Sequence, residues 1–241
     1  MDSKPRFEHL VPTFSYPDSA DLQPLTPLAQ QYKTKLSNLT GRPDTAQDLI
    51  ELHRILRHLI AVEETPEELA KVPEAYRDKV LHRLLALAQH PCTPSKQPNT
   101  LIFKLFATAA LAYTVLFFAT GIPWFRLYSY RYTASGMPGS ISRASSRIRA
   151  TLEMVSLQKF QIAYPEMMIW ILMIGGMTAV RGEEGWFTKR LSEACAGQGI
   201  KGKKELQMAL QQWLWTDWYL RDDFRGFWDA VGLSEMYSLP L

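Results

Sequence analysis

Three polar side chains are candidates for contact with a carbonyl or carboxylate group of a ligand: Arg126, Tyr130 and His53. The first two lie in WFRLYSYRY, where basic and aromatic residues are interleaved, and guanidinium and phenol groups donate hydrogen bonds to oxygen. His53 shares a helical face with Leu49 and Leu56, so we expect it to point inward. A lone inward histidine is also common as a core residue. We predict these three side chains as the catalytic candidates.

Aromatic residues are concentrated in ALQQWLWTDWYLRDDFRGFW, residues 209–228, which holds four of the seven tryptophans. On a continuous helix, Trp215 and Trp218 would lie about 200° and about 140° from Trp213, so aromatic groups would occupy two opposite faces. Core packing, a partner's surface and a pocket for an apolar molecule all explain such a helix. For a pocket, the predicted substrate-binding residues are Trp124, Trp170, Trp213, Trp215 and Trp218, with Met173 and Met177 as adaptable filler.

Two segments have the residue types and spacing of known binding motifs but lack the surrounding structure that those sites require. GQGIKG, residues 197–202, has the glycine spacing of a dinucleotide fingerprint, which has meaning only between a strand and a helix. The segment before it is helical in pattern, so we expect its glycines to end that helix. In RDDFRGFWD, Asp222 and Asp229 share a helical face while Asp223 points away, and no facing ligand set is evident. We therefore predict neither a metal nor a cofactor.

The composition is that of an ordinary globular chain. Of its 241 residues, 46% are hydrophobic and 21% charged, and the formal net charge of +3 is too small to predict a nucleic-acid partner. Two cysteines, Cys92 and Cys195, exclude a disulfide framework and an all-cysteine metal cluster. The N-terminal sequence MDSKPRFEHLVPTF has no apolar segment typical of a secretory signal. We expect a cytoplasmic protein.

One apolar stretch is long enough to raise the question of a membrane helix. Residues 105–125 carry no charge, and a span needs about 20 such residues. Thr108, Thr114 and Thr120 interrupt the stretch, and Gly121 and Pro123 break its last turn. We expect a buried helix of a globular domain here rather than a membrane span.

The apolar pattern predicts an all-α fold, a single helical bundle of about eight to ten helices. Residues 1–43 are rich in proline and read as an extended arm with one short helix near 27–36, and residues 44–241 form the helical domain. No segment shows the alternation typical of a strand. The expected helices include 45–60, 73–89, 100–119, 142–163, one apolar on nearly all sides from residue 165, 186–196 and 203–220.

The sequence from Tyr164 to Val231 resembles the C-terminal part of the fungal-specific transcription factor domain, the all-helical regulatory region of zinc-binuclear-cluster activators, and the helices expected at 45–60, 73–89 and near 107–119 fit the same order. The resemblance covers roughly 200 residues, and the matching positions are Pro165–Glu166, Trp170, Gly175–Gly176, Trp186–Phe187 and Leu214–Trp215 with Asp217. It implies a helical domain that senses small molecules or contacts partner proteins. Members usually carry a six-cysteine DNA-reading module near the N-terminus, and residues 1–43 contain no cysteine. We therefore expect no direct contact with nucleic acid.

Two functions follow from this reading. The first is a small-molecule-binding protein of fungal specialised metabolism, a cofactor-free cyclase or isomerase of the Diels–Alderase kind that folds an apolar terpenoid or polyene into its reactive conformer. The alternative is a transcriptional regulator or co-regulator without its own DNA-binding module, which would be nuclear. Both functions are compatible with a homodimer. Neither function uses a membrane.

Overall fold

The structure, a computed structural model, describes residues 98–121, 138–179, 182–215 and 227–231, together with most of 27–34. This part of the chain is 84% helical and contains no strand, which confirms the all-α fold class. The helices expected at 45–60 and 73–89 lie outside the described residues, and so does the proposed domain boundary at residue 43.

Six helices of seven residues or more lie within the described residues. They are α1 Pro98–Gly121, α2 Pro138–Met154, α3 Leu157–Ala163, α4 Pro165–Met177, α5 Glu184–Gly197 and α6 Lys203–Trp213. Shorter helical segments lie within 27–34 and at 227–230.

Helix α4 is the centre of the bundle. Its sequence PEMMIWILMIGGM is apolar on nearly all sides, and the ten consecutive residues 167–176 are buried, as the pattern predicts. It contacts each of the other five helices. Pro165 begins the helix at its first position, where the missing amide hydrogen leaves no bond unmade. Each of these five helices is therefore positioned against α4.

The glycine pair of α4 lets aromatic rings approach the helix backbone. A methyl group on Gly175 would overlap the ring of Phe187 from α5, and one on Gly176 would overlap the ring of Phe227. Phe187 is fully buried and Phe227 packs against the core. The absence of a side chain at these two positions therefore decides how closely α5 and the 227–230 segment pack on α4.

Most of the described side chains of helix α1 are buried where it packs on α2 and α4, and Lys104 is exposed. Thr108, 7% exposed, donates its hydroxyl to the carbonyl oxygen of Lys104 at 2.7 Å. Such a bond within one helix satisfies the threonine in apolar surroundings. Among the described residues, no helix has the length and apolar character that a membrane span requires.

Two predicted helices end earlier than their sequence patterns indicate. The helix expected at 142–163 is split at Ser156, whose ψ of 97° is extended, into α2 and α3. The helix expected at 203–220 ends at Trp213, and Leu214 is extended with φ −153°. Trp213 and Trp215 are both buried, at 2% and 5% exposure. A continuous helix would have placed them on opposite faces, and leaving the helix at Leu214 brings both inward, so the expectation of one two-faced aromatic helix was wrong.

The 227–231 segment is fastened to α5 and α6 by polar and aromatic contacts. Lys203 Nζ lies 2.8 Å from Asp229 Oδ1, and the hydroxyl of Ser192 donates to the carbonyl oxygen of Val231 at 3.0 Å. The ring of Trp228 stacks on Trp215 with 6.3 Å between centroids. Asp229 thus serves as the ion-pair partner of a lysine at the start of α6.

The glycines of GQGIKG end one helix and lead into the next, as expected. The amide of Gly199 donates to Ala196 O at 3.1 Å and that of Ile200 to Cys195 O at 2.9 Å, the two bonds of a Schellman cap. Gly199 adopts φ +71°, which favours glycine. The helix α5 that precedes the motif excludes the strand that a dinucleotide site needs.

Substitution of Gly199 tests this cap. We expect Gly199→Ala to lower the free energy of unfolding by about 1 kcal/mol, because an L side chain is strained in the left-handed region. Gly199→Asn should be milder, since asparagine tolerates that region better. Urea denaturation followed by circular dichroism measures both. Equal stability of Gly199→Ala and the wild type would contradict the assigned backbone conformation.

Candidate functional site

The structure places five of the ten predicted site residues. Trp170 and Met173 are fully buried, Trp213 is 2% exposed and Trp215 5% exposed, and Met177 is partly buried against the core. The other five lie outside the described residues: Arg126, Tyr130, His53, Trp124 and Trp218. The catalytic and substrate-binding assignments of all ten stay predictions.

Two of these tryptophans belong to one continuous set of buried rings. This aromatic core consists of Tyr32, Phe106, Tyr113, Tyr164, Trp170 and Trp213. Phe106 links the two tryptophans, with its centroid 5.5 Å from Trp170 and 5.8 Å from Trp213. Trp215 stacks instead on Trp228. In the described structure these rings therefore contact one another, which is the arrangement of packed core residues.

Two polar atoms of the aromatic core have no hydrogen-bond partner among the described residues. They are Trp170 Nε1 and the Tyr164 hydroxyl. A buried donor without a partner costs about 1–3 kcal/mol, so the ring contacts of both side chains must outweigh that loss. Burial raises the pKa of the Tyr164 hydroxyl to about 12, and the group stays protonated near neutral pH.

A concave groove of about 270 Å³ opens between the start of α4, the turn from α5 to α6, and α6. Apolar side chains and four polar ones share its wall. Its lining residues are Pro165, Glu166, Ile169, Gln198, Ile200, Glu205, Met208, Ala209 and Gln212. Apolar surface with a few polar groups is the usual composition of a small-molecule site.

The carboxylate of Glu166 in this groove is held from inside the protein. The hydroxyl of Tyr32 donates a hydrogen bond to Glu166 Oε2, and Tyr32 is 2% exposed. Its ring packs on Tyr164 and Trp213, with 5.1 Å between centroids in each pair. Burial, and then the bond to Glu166, raise the pKa of Tyr32 well above its usual range, so it remains a donor. The groove thus has a fixed carboxylate anchored to the aromatic core.

The opposite wall of the groove is α6, from Glu205 to Gln212. Glu205 Oε2 accepts a hydrogen bond of 2.6 Å from the backbone N–H of Lys201, which fixes the carboxylate at the start of the helix. Met208 lies one turn further on and is 54% exposed. The Schellman turn at Gly199 brings Ile200 to the same groove. Three local features of α5 and α6 therefore shape this wall.

Sequence reasoning missed the groove and its pair of anchoring residues. Glu166 enters the resemblance only as part of Pro165–Glu166, and Tyr32 lies in the predicted N-terminal arm. The two are 134 positions apart, and no periodicity relates residues at that distance. The only available signal was the short helix expected near 27–36, which the helical residues within 27–34 confirm.

No group of three or more histidine, cysteine, aspartate or glutamate side chains among the described residues could hold a metal ion. Glu166 and Glu205 are engaged by Tyr32 and by the Lys201 amide. Cys195 is buried in α5, and burial raises the pKa of its thiol to about 12, so the thiol stays protonated. A protonated thiol is a poor nucleophile.

Comparison with known proteins does not assign this chain to a family. No family model matches it, and neither a curated protein nor a solved structure matches it. The resemblance to the fungal-specific transcription factor domain therefore stays a prediction.

Three buried acids of high pKa predict a loss of stability at alkaline pH. Tyr32, Tyr164 and Cys195 are each at most 2% exposed, and burial raises the pKa of all three. The unfolded chain releases these protons near the ordinary values of 9.0 for cysteine and 10.0 for tyrosine. Stability should therefore be full below about pH 8.5 and fall as the pH rises towards 12, by up to about 1.4 kcal/mol per pH unit for each group.

The midpoint of urea unfolding between pH 8 and 11 measures this loss. In Cys195→Ala the decline between pH 9 and 10 should be shallower, because the thiol of the unfolded chain, with an ordinary pKa of 9.0, is at least half ionised throughout that interval, whereas unfolded tyrosine reaches half ionisation only at its upper end. The same variant should match the wild-type slope between pH 7 and 8. An unchanged slope between pH 9 and 10 would contradict burial of a protonated thiol.

Proposed function

We propose that this chain is a small-molecule-binding helical protein whose ligand occupies the groove between α4 and α6. The observation that carries the proposal is the bond from buried Tyr32 to Glu166, which holds a polar group in place beside apolar wall residues. Binding sites for small molecules combine apolar walls with a few polar groups whose positions are fixed by the surrounding protein. The same bond satisfies the buried hydroxyl of Tyr32, so the carboxylate is held for as long as the aromatic core is packed.

The size of the groove limits the ligand. At about 270 Å³ it lies just below the range of about 300–1,000 Å³ for ligand pockets. A compact terpenoid or a single ring system fits this volume better than an extended polyene. Met208 and Ile169 supply flexible and branched apolar contacts on facing walls.

The enzyme form of the proposal is a cofactor-free cyclase or isomerase of fungal specialised metabolism. Such a protein needs only to hold a reactive conformer and to place a hydrogen-bonding group where charge develops in the transition state. Among the described residues of the groove, Glu166, whose carboxylate is held by Tyr32, could be this hydrogen-bonding group. The resemblance to the fungal regulatory domain is the basis for the metabolic setting. In this form the protein would act in the cytoplasm, with an apolar small molecule as partner rather than nucleic acid.

The alternative is a regulator or co-regulator in the nucleus that acts through its surface. Ile162 and Met154 are 72% and 62% exposed, and exposed apolar side chains can contact a partner chain or a second copy. Single exposed apolar residues are also normal on globular proteins. The groove, by contrast, combines apolar exposure with a fixed carboxylate, and we therefore favour ligand binding.

Deletion of the gene followed by complementation tests both functions. The strain lacking the protein is compared with strains carrying the wild type, the groove variant Met208→Lys, or the control Met154→Lys, an exposed methionine of α2 outside the groove. Metabolites and transcripts of neighbouring biosynthetic genes are measured together. We expect steady transcripts and an accumulated precursor in the deletion and Met208→Lys strains only. Collapse of the transcripts would favour the regulator, and full rescue by Met208→Lys would contradict the groove.

A further inference from the structure

We propose that the groove selects a ligand carrying a protonated amine on an apolar body. The inference rests on the proposed function, because it names the chemical class of the ligand for the same groove. It follows from the charges of the lining residues, from the way each carboxylate is held, and from the helix ends that face the groove.

The ionisable side chains that line the groove are both acids. Glu166 lies on the α4 wall and Glu205 on the α6 wall. No basic side chain is among the described residues of the lining. Lys201 and Lys204 are neighbours in sequence, but both are exposed and neither lines the groove. A cationic group in the groove would therefore meet complementary charge, and an anionic group would meet two like charges beside apolar surface.

Each carboxylate is oriented by one donor from the protein and keeps acceptor capacity. Tyr32 donates to Glu166 Oε2 and the Lys201 N–H donates to Glu205 Oε2. A carboxylate offers about four lone-pair sites on its two oxygens, so one bond fixes its orientation without saturating it. An ammonium group has three donors and no acceptor, which matches two carboxylates on facing walls.

The helix dipoles act in the opposite direction but are smaller. The starts of α4 and α6 both contribute to the groove, and each helix N-terminus carries about half a positive charge. Glu166 and Glu205 lie in these first turns and each carries a full negative charge. At the start of α4 the sum is therefore negative. At the start of α6, Lys203 and Lys204 add positive charge, but Lys203 pairs with Asp229 and neither lysine lines the groove. The charges that a ligand meets inside the groove are the two carboxylates, which favour a cation over a carboxylate ligand.

A matched set of ligands separates charge from apolar contact. Tryptamine, tryptophol and indole-3-acetate share one ring system and differ in a cationic, neutral or anionic end. Titration at pH 7 into protein with ¹³C-labelled methionine and isoleucine methyl groups reports binding at Met208, Ile169 and Ile200, which line the groove. We expect tryptamine to bind about tenfold more tightly than tryptophol, as charge-assisted hydrogen bonds imply. Indole-3-acetate should bind more weakly than both.

The double variant Glu166→Gln with Glu205→Gln should reduce the preference for tryptamine to less than twofold. Glu184→Gln, an exposed acid of α5 outside the groove, should leave it unchanged. Raising the salt concentration should weaken the binding of tryptamine and leave the binding of tryptophol unchanged. The methyl spectra of the variants also show whether each remains folded.

Each remaining outcome decides one of the two proposals. Equal binding of all three compounds at the groove methyl groups would overturn the amine inference and leave the groove as a small-molecule site. A preference for tryptamine that survives in the double variant would also overturn it. No perturbation of the groove methyl groups by any compound at millimolar concentration would overturn the proposed function together with the inference.

Discussion

Trp170→Ala should lower the free energy of unfolding by about 3–5 kcal/mol, the range for removing a large aromatic side chain from a packed core. Trp170 is fully buried on the central helix, and its ring lies 5.5 Å from Phe106 and 5.6 Å from Tyr113. The loss comes from the apolar area exposed on unfolding and from the cavity left behind. Urea denaturation followed by circular dichroism measures it.

Met208→Ala is the matched control for this prediction. Met208 is 54% exposed in the groove, so its truncation should change stability by less than about 0.5 kcal/mol and should weaken ligand binding. Trp170→Ala thus tests the core and Met208→Ala tests the groove. A stable Trp170→Ala protein that has lost its ligand would contradict the core assignment and would favour the pocket predicted from the aromatic pattern.

Gly175→Ala and Gly176→Ala should each destabilise the protein by about 2 kcal/mol, although alanine is the better helix former. The added methyl group would overlap the ring of Phe187 or Phe227, and overpacking of a core costs about 1–3 kcal/mol or more. The gain in helix propensity is at most about 1 kcal/mol. Because Phe187 is fully buried, its ring has no free space to enter.

Gly185→Ala should have the opposite effect on the free energy of unfolding and serves as the control. Gly185 lies in α5, is exposed, and an added methyl group would meet nothing within 4 Å. The substitution should stabilise the protein by up to about 1 kcal/mol.

A double variant tests the contact between Gly175 and Phe187. Phe187→Leu should recover part of the stability lost in Gly175→Ala, because the smaller side chain leaves room for the added methyl group. Additive effects of the two substitutions would contradict a direct contact.

Much of the helical framework can be predicted from the pattern of residues that are close together in the sequence. The continuous apolar run after Pro165 predicts a central helix, and α4 confirms it. The glycines of GQGIKG after an amphipathic segment predict a helix end, and Gly199 confirms it. These features depend on residues within one or two turns of one another, where helix periodicity and backbone preference act.

Other features depend on contacts that no local pattern contains. Helix α6 ends at Trp213 because Trp213 and Trp215 are both buried, and the periodicity of the segment indicates a longer helix. The bond from Tyr32 to Glu166 joins residues 134 positions apart. The groove exists because the starts of α4 and α6 meet beside the turn at Gly199. Local sequence determines which segments are helical, whereas the packing of side chains distant in sequence determines where a helix stops and which polar groups share a groove.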